Sequence, residues 1–371
     1  RIGSQSLAFT GIATRGDVEF DQGRTQADNH SWNLALSGAV NTTWQHKLSL
    51  GESYEKLDTP AYASVYGSRR KSLDWSNTLT LDKGTMAFGV NASKESGYSN
   101  GWSGPEFKET RDNHGVFGVW NGSFGRQSLE LASRWDDNSQ FGNRLTSSAA
   151  WVLQASPDSR WRASWGQGFR APNFNELYYP GFFGSFGGNP NLDPERSQSL
   201  EIGYSHAFAE TFRADFSAYR SRIDDLIAFE GVNNQAINIQ QARISGAEAE
   251  LSGTAGAWQW RTQGTWTQAV NETTGNALLR RPKTKGLIDV RYRFNGGTEL
   301  GLEVSGAGKR PDFGGVLPGY GRIDMIASWP MADRWRLEGR LENLADRDYQ
   351  LVDGYATPGR SLFLRLNYLP E

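Results

Sequence analysis

Cysteine is absent from this sequence, and histidine is rare and scattered. There is no cysteine, so disulfides, cysteine-ligated zinc and a thiolate nucleophile are excluded for this chain. The run Gly166–Ala171 matches the GxGxxA pattern of a dinucleotide-binding loop, but Pro172 follows it and stops the helix that such a loop requires. The four histidines have neither metal-binding nor triad spacing: His30, His46, His114 and His206. The residue types therefore favour binding or structural roles over catalysis.

The composition argues against several other classes of protein. The chain has 371 residues, with 39 Lys and Arg against 41 Asp and Glu, which gives a net charge of −2. Balanced charge without a long basic run argues against nucleic-acid binding. A content of 12% aromatic residues argues against disorder. Only 37% of the residues are hydrophobic, and no apolar stretch approaches the ~18–20 residues of a membrane-spanning helix.

Alternation of apolar and polar residues is the strongest pattern in the chain. Successive side chains on a strand point to opposite faces, so a strand between two different solvents shows a period of two. In residues 335–342, Trp335, Leu337 and Leu341 alternate with four charged residues. Comparable segments are 212–219, 258–267, 288–294 and 361–368. The pattern predicts strands with an apolar face and a charged face.

The length and number of these segments predict a transmembrane barrel. About 17 segments of ~9–12 residues fit a tilted strand that crosses a bilayer, whereas soluble strands average ~5–6 residues. The predicted fold is all-β, an antiparallel up-and-down transmembrane β-barrel. The candidate short turns are 82–84, 121–123, 253–256 and 295–297, and the candidate long loops are 56–70, 97–111, 170–197 and 306–320. A soluble all-β protein is the alternative, because its strands alternate too.

Several strings resemble the TonB-dependent outer-membrane transporter family. Gly168–Tyr178 and Gly188–Ser197 are similar to the FRAP…ELY and GNPxLxPExS signatures of that family. Glu342–Tyr349 is similar to its ENLxDxxY element. Within the family, Trp135–Gly142 and Leu278–Pro282 resemble the transporters of vitamin B12 (cobalamin).

The resemblance implies a larger protein than the sequence shows. Family barrels have about 22 strands and a preceding plug domain with a TonB-box segment. Here the alternation indicates about 17 strands, and no segment resembles the plug. We therefore expect residues 1–371 to be the C-terminal part of the barrel, without the N-terminal plug and the first barrel strands.

The resemblance also implies a location and a function. The location is the bacterial outer membrane, and the function is TonB-dependent uptake of cobalamin, with this chain supplying barrel wall and extracellular loops. The implied partners are cobalamin or another large polar ligand, outer-membrane lipid, and TonB, which would act through the missing plug. No nucleic acid is expected.

Three residues match ligand contacts of the cobalamin transporters. Arg280 matches the position that contacts cobalamin from the barrel wall, and its planar guanidinium can donate to amide and phosphate oxygens. Phe313 matches an aromatic contact, and Ser64 matches a hydroxyl contact. A salt-bridge network in the wall is the structural alternative for Arg280.

Calcium is a further ligand that the resemblance implies, because these transporters bind it through clustered aspartates in extracellular loops. Four carboxylates, together with backbone carbonyls, can supply the 6–8 oxygens that Ca²⁺ takes. The alternation of residues 16–21 places three of them on one strand face, and a solvated face is the structural alternative. The candidate ligands are Asp17, Glu19, Asp21 and Asp28.

Three other functions remain open at this point. A siderophore or haem transporter of the same family would share the signatures. A passive pore or adhesin would need a complete, even-stranded barrel. An outer-membrane hydrolase would need a serine and a histidine within hydrogen-bond reach.

Overall fold

The structure is a computed structural model that describes residues 4–20, 23–181 and 184–368. Within these residues, one α-helix, α1 (Phe174–Tyr178), accompanies two 3₁₀ turns and twenty strands. The strands are β1 (Gln5–Phe20), β2 (Gly23–Ala39), β3 (Trp44–Thr59), β4 (Ser64–Leu81), β5 (Gly84–Gly101), β6 (Gly104–Phe124), β7 (Gln127–Asn138), β8 (Gly142–Gln154), β9 (Ser159–Arg170), β10 (Glu195–Ala209), β11 (Phe212–Ala228), β12 (Ile237–Ala255), β13 (Trp258–Asn271), β14 (Thr284–Arg293), β15 (Glu299–Ala307), β16 (Arg310–Asp312), β17 (Gly315–Leu317), β18 (Tyr320–Ala332), β19 (Trp335–Glu342) and β20 (Ser361–Tyr368). No helix in this part of the chain has the length and hydropathy needed to cross a membrane.

Eighteen of the described strands belong to one sheet, and β16 and β17 form a separate hairpin. From β1 to β7, each strand pairs antiparallel with the next one in the sequence. Antiparallel pairing also joins consecutive strands from β12 to β15. It then joins β15 to β18, β18 to β19 and β19 to β20. The all-β, antiparallel, up-and-down prediction is confirmed, with eighteen sheet strands where the sequence indicates about 17.

The chain divides into two compact units. The first unit comprises Arg1–Trp151, Trp165–Gln198 and Ile223–Gln240, and the second comprises Val152–Ser164, Ser199–Arg222 and Gln241–Glu371. The first unit contains a small hydrophobic core formed by Leu177, Leu192, Ile227 and Ala236. Three of these residues lie in the connections between strands, and Ile227 lies near the end of β11.

The sheet of the second unit has an exposed apolar face and a buried charged face. Ile288 and Val304 lie opposite each other on β14 and β15, and both are exposed. One position along, Asp289, Glu303 and Asp324 lie opposite one another on three successive strands, and Asp289 and Asp324 are buried. A soluble protein would bury the apolar row and expose the charged row. The observed arrangement fits strands with lipid on one side and water on the other.

Two of the four predicted short turns are confirmed. Residues 82–83 separate β4 from β5, and residues 294–298 separate β14 from β15. The turn predicted at 121–123 is wrong, because β6 continues to Phe124 and the chain reverses at Gly125, whose φ is +60°. The turn predicted at 253–256 is shifted, because β12 continues to Ala255.

Two of the four predicted long loops are hairpins instead. In the region 56–70, β3 and β4 continue until only residues 60–63 remain between them. In the region 97–111, β5 and β6 leave only residues 102–103. These strand ends carry polar residues on both faces, so the alternation that marks a strand is absent there. The regions 170–197 and 306–320 are confirmed as long connections.

Candidate functional site

Three connections of the second unit meet at one buried carboxylate, that of Asp312. Its Oδ1 accepts hydrogen bonds from Nε of Arg280 at 2.9 Å and from the amide of Phe313 at 2.8 Å. Its Oδ2 accepts a hydrogen bond from the amide of Asp353 at 2.9 Å. The connection between β13 and β14, the connection that contains the β16–β17 hairpin, and the connection between β19 and β20 are therefore tied together at one side chain.

The structure brings together two of the three predicted ligand contacts. The guanidinium of Arg280 lies over the ring of Phe313, 5.1 Å from its centroid. Arg280 has a left-handed backbone with φ of +59°, and its amide donates to the carbonyl of Pro311 at 2.8 Å. The side chain of Arg280 is 41% exposed and Phe313 is 43% exposed, so both can touch a ligand. Among the contacts described for Arg280, only Nε binds a carboxylate, so the two terminal nitrogens are available to a ligand.

The third predicted contact, Ser64, belongs to the first unit. It is the first residue of β4 and lies opposite Thr59 across a tight hairpin turn. Its role as a ligand contact stays a prediction of the sequence.

The charge state of Asp312 follows from its surroundings. Burial acts to raise the pKa of Asp312, but the amides of Asp353 and Phe313 and the guanidinium of Arg280 outweigh it, so the pKa lies below its ordinary value of 3.8. A carboxylate whose pKa is lowered by folding stabilises the fold above the unfolded pKa, and this contribution is lost as the pH falls through the folded pKa.

We expect the tie at Asp312 to withstand mild acid. Protection of the Phe313 and Asp353 amides against hydrogen exchange, corrected for the intrinsic rate, should be constant from about pH 8 to pH 5 and should fall only below 3.8. The Asp312→Asn variant is the control, because its side chain does not titrate. A loss of protection between pH 7 and pH 5 in the parent protein would contradict this assignment.

The candidate calcium ligands lie on the β1–β2 hairpin and are engaged by arginines. Asp28 accepts a hydrogen bond from Nε of Arg15 at 3.1 Å, and Asp17 is paired with Arg24. The register places Glu19 opposite Arg24. Asp21 lies outside the described residues.

A calcium ion at this hairpin would have to displace arginine side chains. In the described part of the chain, no group of three or more His, Asp or Glu side chains is arranged to hold a metal ion. Calcium binding therefore stays a prediction of the sequence.

The two longest signature strings of the sequence fold around Arg170, in the first unit. Arg170 donates to both oxygens of Glu195, at 2.8 and 2.6 Å, and to Glu176 at 2.9 Å. Glu176 and Asn173 form a reciprocal capping box at the start of α1, with both hydrogen bonds at 2.8 Å. Glu195 also accepts a hydrogen bond from the amide of Ile227 at 2.9 Å. Arg170 thus fixes the ends of the long 171–194 connection, which explains the spacing of its residues.

Replacing Arg170 with alanine should loosen this connection. Two mostly buried carboxylates, Glu176 and Glu195, would lose their partner, at a cost of about 1–3 kcal/mol. We expect faster hydrogen exchange and faster proteolysis within 171–194, by about tenfold or more. Arg160→Ala is the matched control, since Arg160 is an exposed arginine on the same strand. Equal exchange rates in the Arg170 variant and in the control would show that Arg170 does not hold this connection.

The second unit also contains a serine–histidine contact, which an outer-membrane hydrolase would require. Oγ of Ser159 lies 2.7 Å from Nδ1 of His206 and 3.3 Å from the hydroxyl of Tyr204. The imidazole packs edge-on against Phe208, with the ring centroids 4.5 Å apart. Among the described contacts no carboxylate orients His206, and the Ser159 amide donates to a carbonyl of its own turn. Within the described residues the pair therefore has no orienting carboxylate, and the Ser159 amide is engaged and not available as an oxyanion donor.

Comparison with protein families gives one match along most of the chain. Residues 3–344 match the family model described as TonB dependent receptor-like, beta-barrel. The chain is 27% identical, over 379 aligned residues, to the vitamin B12 transporter BtuB of Vibrio vulnificus (strain YJ016). This alignment covers 97% of the chain and 59% of the relative, so the chain spans less than two thirds of the relative's length.

Solved structures share the fold at lower identity. The copper transporter OprC superposes with a TM-score of 0.82 at 16% identity, over 98% of this chain and 69% of that one. The FrpB iron transporter of Neisseria meningitidis superposes with a TM-score of 0.79 at 15% identity, over 99% of this chain and 69% of that one. At these identities the likeness concerns the fold alone.

Proposed function

Because the chain belongs to the TonB-dependent receptor family, whose members are outer-membrane β-barrel proteins, we propose that it serves in the uptake of cobalamin across the outer membrane. In this proposal residues 1–371 form the C-terminal part of the barrel. A plug domain outside these residues couples the barrel to TonB. The exposed apolar face of the sheet contacts lipid, and the charged face lines a polar lumen that suits a large hydrophilic ligand.

The observation that supports cobalamin as the substrate is the pairing of Arg280 with Phe313. Cobalamin presents amide and phosphate oxygens around a large ring system. Arg280 offers terminal guanidinium nitrogens to such oxygens, and Phe313 offers an exposed aromatic face. Asp312 holds both residues, so the ligand does not have to order them on binding. The 27% identical relative that is named a vitamin B12 transporter supports the same substrate.

Uptake measurements on the full-length gene product test the proposal. The protein is expressed in a bacterial host that lacks its own outer-membrane cobalamin transporter, and uptake of radiolabelled cyanocobalamin is measured with and without functional TonB. Saturable uptake that requires TonB is expected. Ferric siderophores and haem are offered as competing substrates in parallel. Uptake of an iron chelate alone would replace the cobalamin assignment, and ligand-independent ion conductance would indicate a passive pore.

A further inference from the structure

We infer that Arg310 and Asp312 are positioning residues for ligand recognition. They fasten the β16–β17 hairpin to residues 350–353 of the β19–β20 connection, and this fastening sets the positions of Arg280 and Phe313. Arg310, Asp312 and residues 350–353 are called the latch below. The ligand in this inference rests on the proposed function, whereas the latch itself is a set of contacts within this chain.

The first half of the latch is a buried arginine. Arg310 is 4% exposed, and its guanidinium donates to the carbonyl of Leu351 at 3.3 Å and to the carbonyl of Gln350. The ring of Tyr320 lies 5.8 Å from the guanidinium carbon. Carbonyl dipoles and an aromatic face are thus the partners of this cation, and no carboxylate pairs with it in the described part of the chain. Arg310 recognises the main chain of residues 350 and 351, so it holds that segment whatever its side chains are.

One nitrogen of Arg310 does not contribute to this half of the latch. Its Nη1 is buried and has no hydrogen-bond partner within the described residues. A buried donor without a partner costs free energy that hydration would recover on opening. The closed state is therefore stabilised less than a fully paired arginine would stabilise it.

The second half of the latch is Asp312, which holds the same segment through the amide of Asp353. The side chain of Asp353 also reaches the hairpin, because a Cβ at Gly314 would lie 1.8 Å from its Oδ2. Two independent attachments, at residues 350–351 and at residue 353, thus fix the hairpin against one short segment.

The segment that receives the hairpin is itself held rigidly. The side chain of Asn343 exchanges hydrogen bonds with the backbone of Arg347, at 2.9 and 3.0 Å. The hydroxyl of Thr357 donates to the carbonyl of Tyr349 at 2.7 Å. The rings of Tyr349 and Tyr320 stack with centroids 4.4 Å apart. These contacts support the β19–β20 connection on both sides of residues 350–353.

Movement of the hairpin would displace both recognition residues together. Arg280 is attached to it twice, through Nε to Asp312 and through its amide to Pro311. Phe313 is part of the hairpin turn and donates its amide to Asp312. The latch thus sets the distance between the Arg280 guanidinium and the Phe313 ring, the two groups that would contact a ligand.

Binding by the full-length protein in detergent tests the positioning role. Equilibrium affinity for cyanocobalamin is measured for the parent protein, Asp312→Asn, Arg280→Ala and the double variant, with Asp348→Asn as an exposed aspartate control in the same connection. Asp312→Asn is expected to weaken binding about tenfold. The double variant should lose less affinity than the sum of the two single losses, because part of the effect of Asp312 passes through Arg280. Additive losses would overturn the positioning role.

A second measurement needs no ligand. Hydrogen exchange at the Asp353 and Phe313 amides should accelerate about tenfold or more in Asp312→Asn and in Arg310→Lys, while the β18–β20 ladder stays unchanged. Unchanged exchange in both variants would overturn the latch. If the parent protein binds no cobalamin, the proposed function fails, and the exchange rates alone decide whether the latch exists.

Discussion

Replacing Asp324 with alanine is expected to lower the free energy of unfolding by about 3–5 kcal/mol. Asp324 is 0% exposed, and its Oδ2 accepts hydrogen bonds from Arg322 at 2.8 Å and from Arg340 at 2.7 Å. Its Oδ1 accepts the amide of Asn343 at 3.0 Å, at the point where β19 ends and the last connection begins. Alanine would leave two arginines without their shared carboxylate and a buried amide without an acceptor. The cost is large because one fully buried carboxylate serves three donors at once, although Arg322 and Arg340 keep Glu342 and Glu303 as further partners.

A second substitution at Asp324 separates the two contributions. Asp324→Asn keeps an oxygen for the Asn343 amide but removes the charge, so the difference between the two variants measures the amide bond, about 1–3 kcal/mol. Unfolding in urea supplies the free energies. The folded fraction at each urea concentration is read from a gel on which the folded protein and the heat-unfolded protein migrate differently. Asp333→Asn, at an exposed aspartate in the turn before β19, is the matched control. Variants as stable as this control would show that Asp324 does not hold the wall together.

Replacing Arg280 with alanine is expected to weaken cobalamin binding about 10- to 100-fold. Hydrogen bonds from a charged donor contribute about 1.5–3 kcal/mol, and Arg280 also supplies the cation that lies on Phe313. Arg280→Lys should fall between the parent protein and the alanine variant, because lysine keeps the charge but lacks the planar fork.

The neighbouring arginine provides the control for this prediction. Arg281 is exposed and carries the same charge one position later, so Arg281→Ala tests whether charge alone attracts the ligand. Equilibrium binding of cyanocobalamin at two salt concentrations measures both variants, since a general electrostatic effect weakens with salt. Equal losses in the two variants would contradict a specific contact by Arg280.

The sequence alone was sufficient to predict the wall of this protein. Residues 335–342 and 361–368, chosen for their alternation, coincide with β19 and β20. The prediction succeeds because alternation is a local property. Each strand faces lipid on one side and water on the other, and the polarity of each side chain matches the side that it faces. Where strands are polar on both faces, as near residues 59 and 101, the alternation is absent, and the sequence predicted long loops where the structure has hairpins.

Only the tertiary structure shows how the candidate site is held. The resemblance singled out Arg280 and Phe313, but no pattern marked Arg310 or Asp312, which are an arginine and an aspartate among many. Their roles depend on connections that are adjacent in space and distant in sequence, since Asp312 joins residue 280 to residue 353. Likewise, Asp324 gains its importance from strand register, which places it opposite Glu303 and within reach of Arg340. Loop packing depends on contacts between residues that are distant in the sequence, and the type of a single residue such as Asp312 does not reveal them.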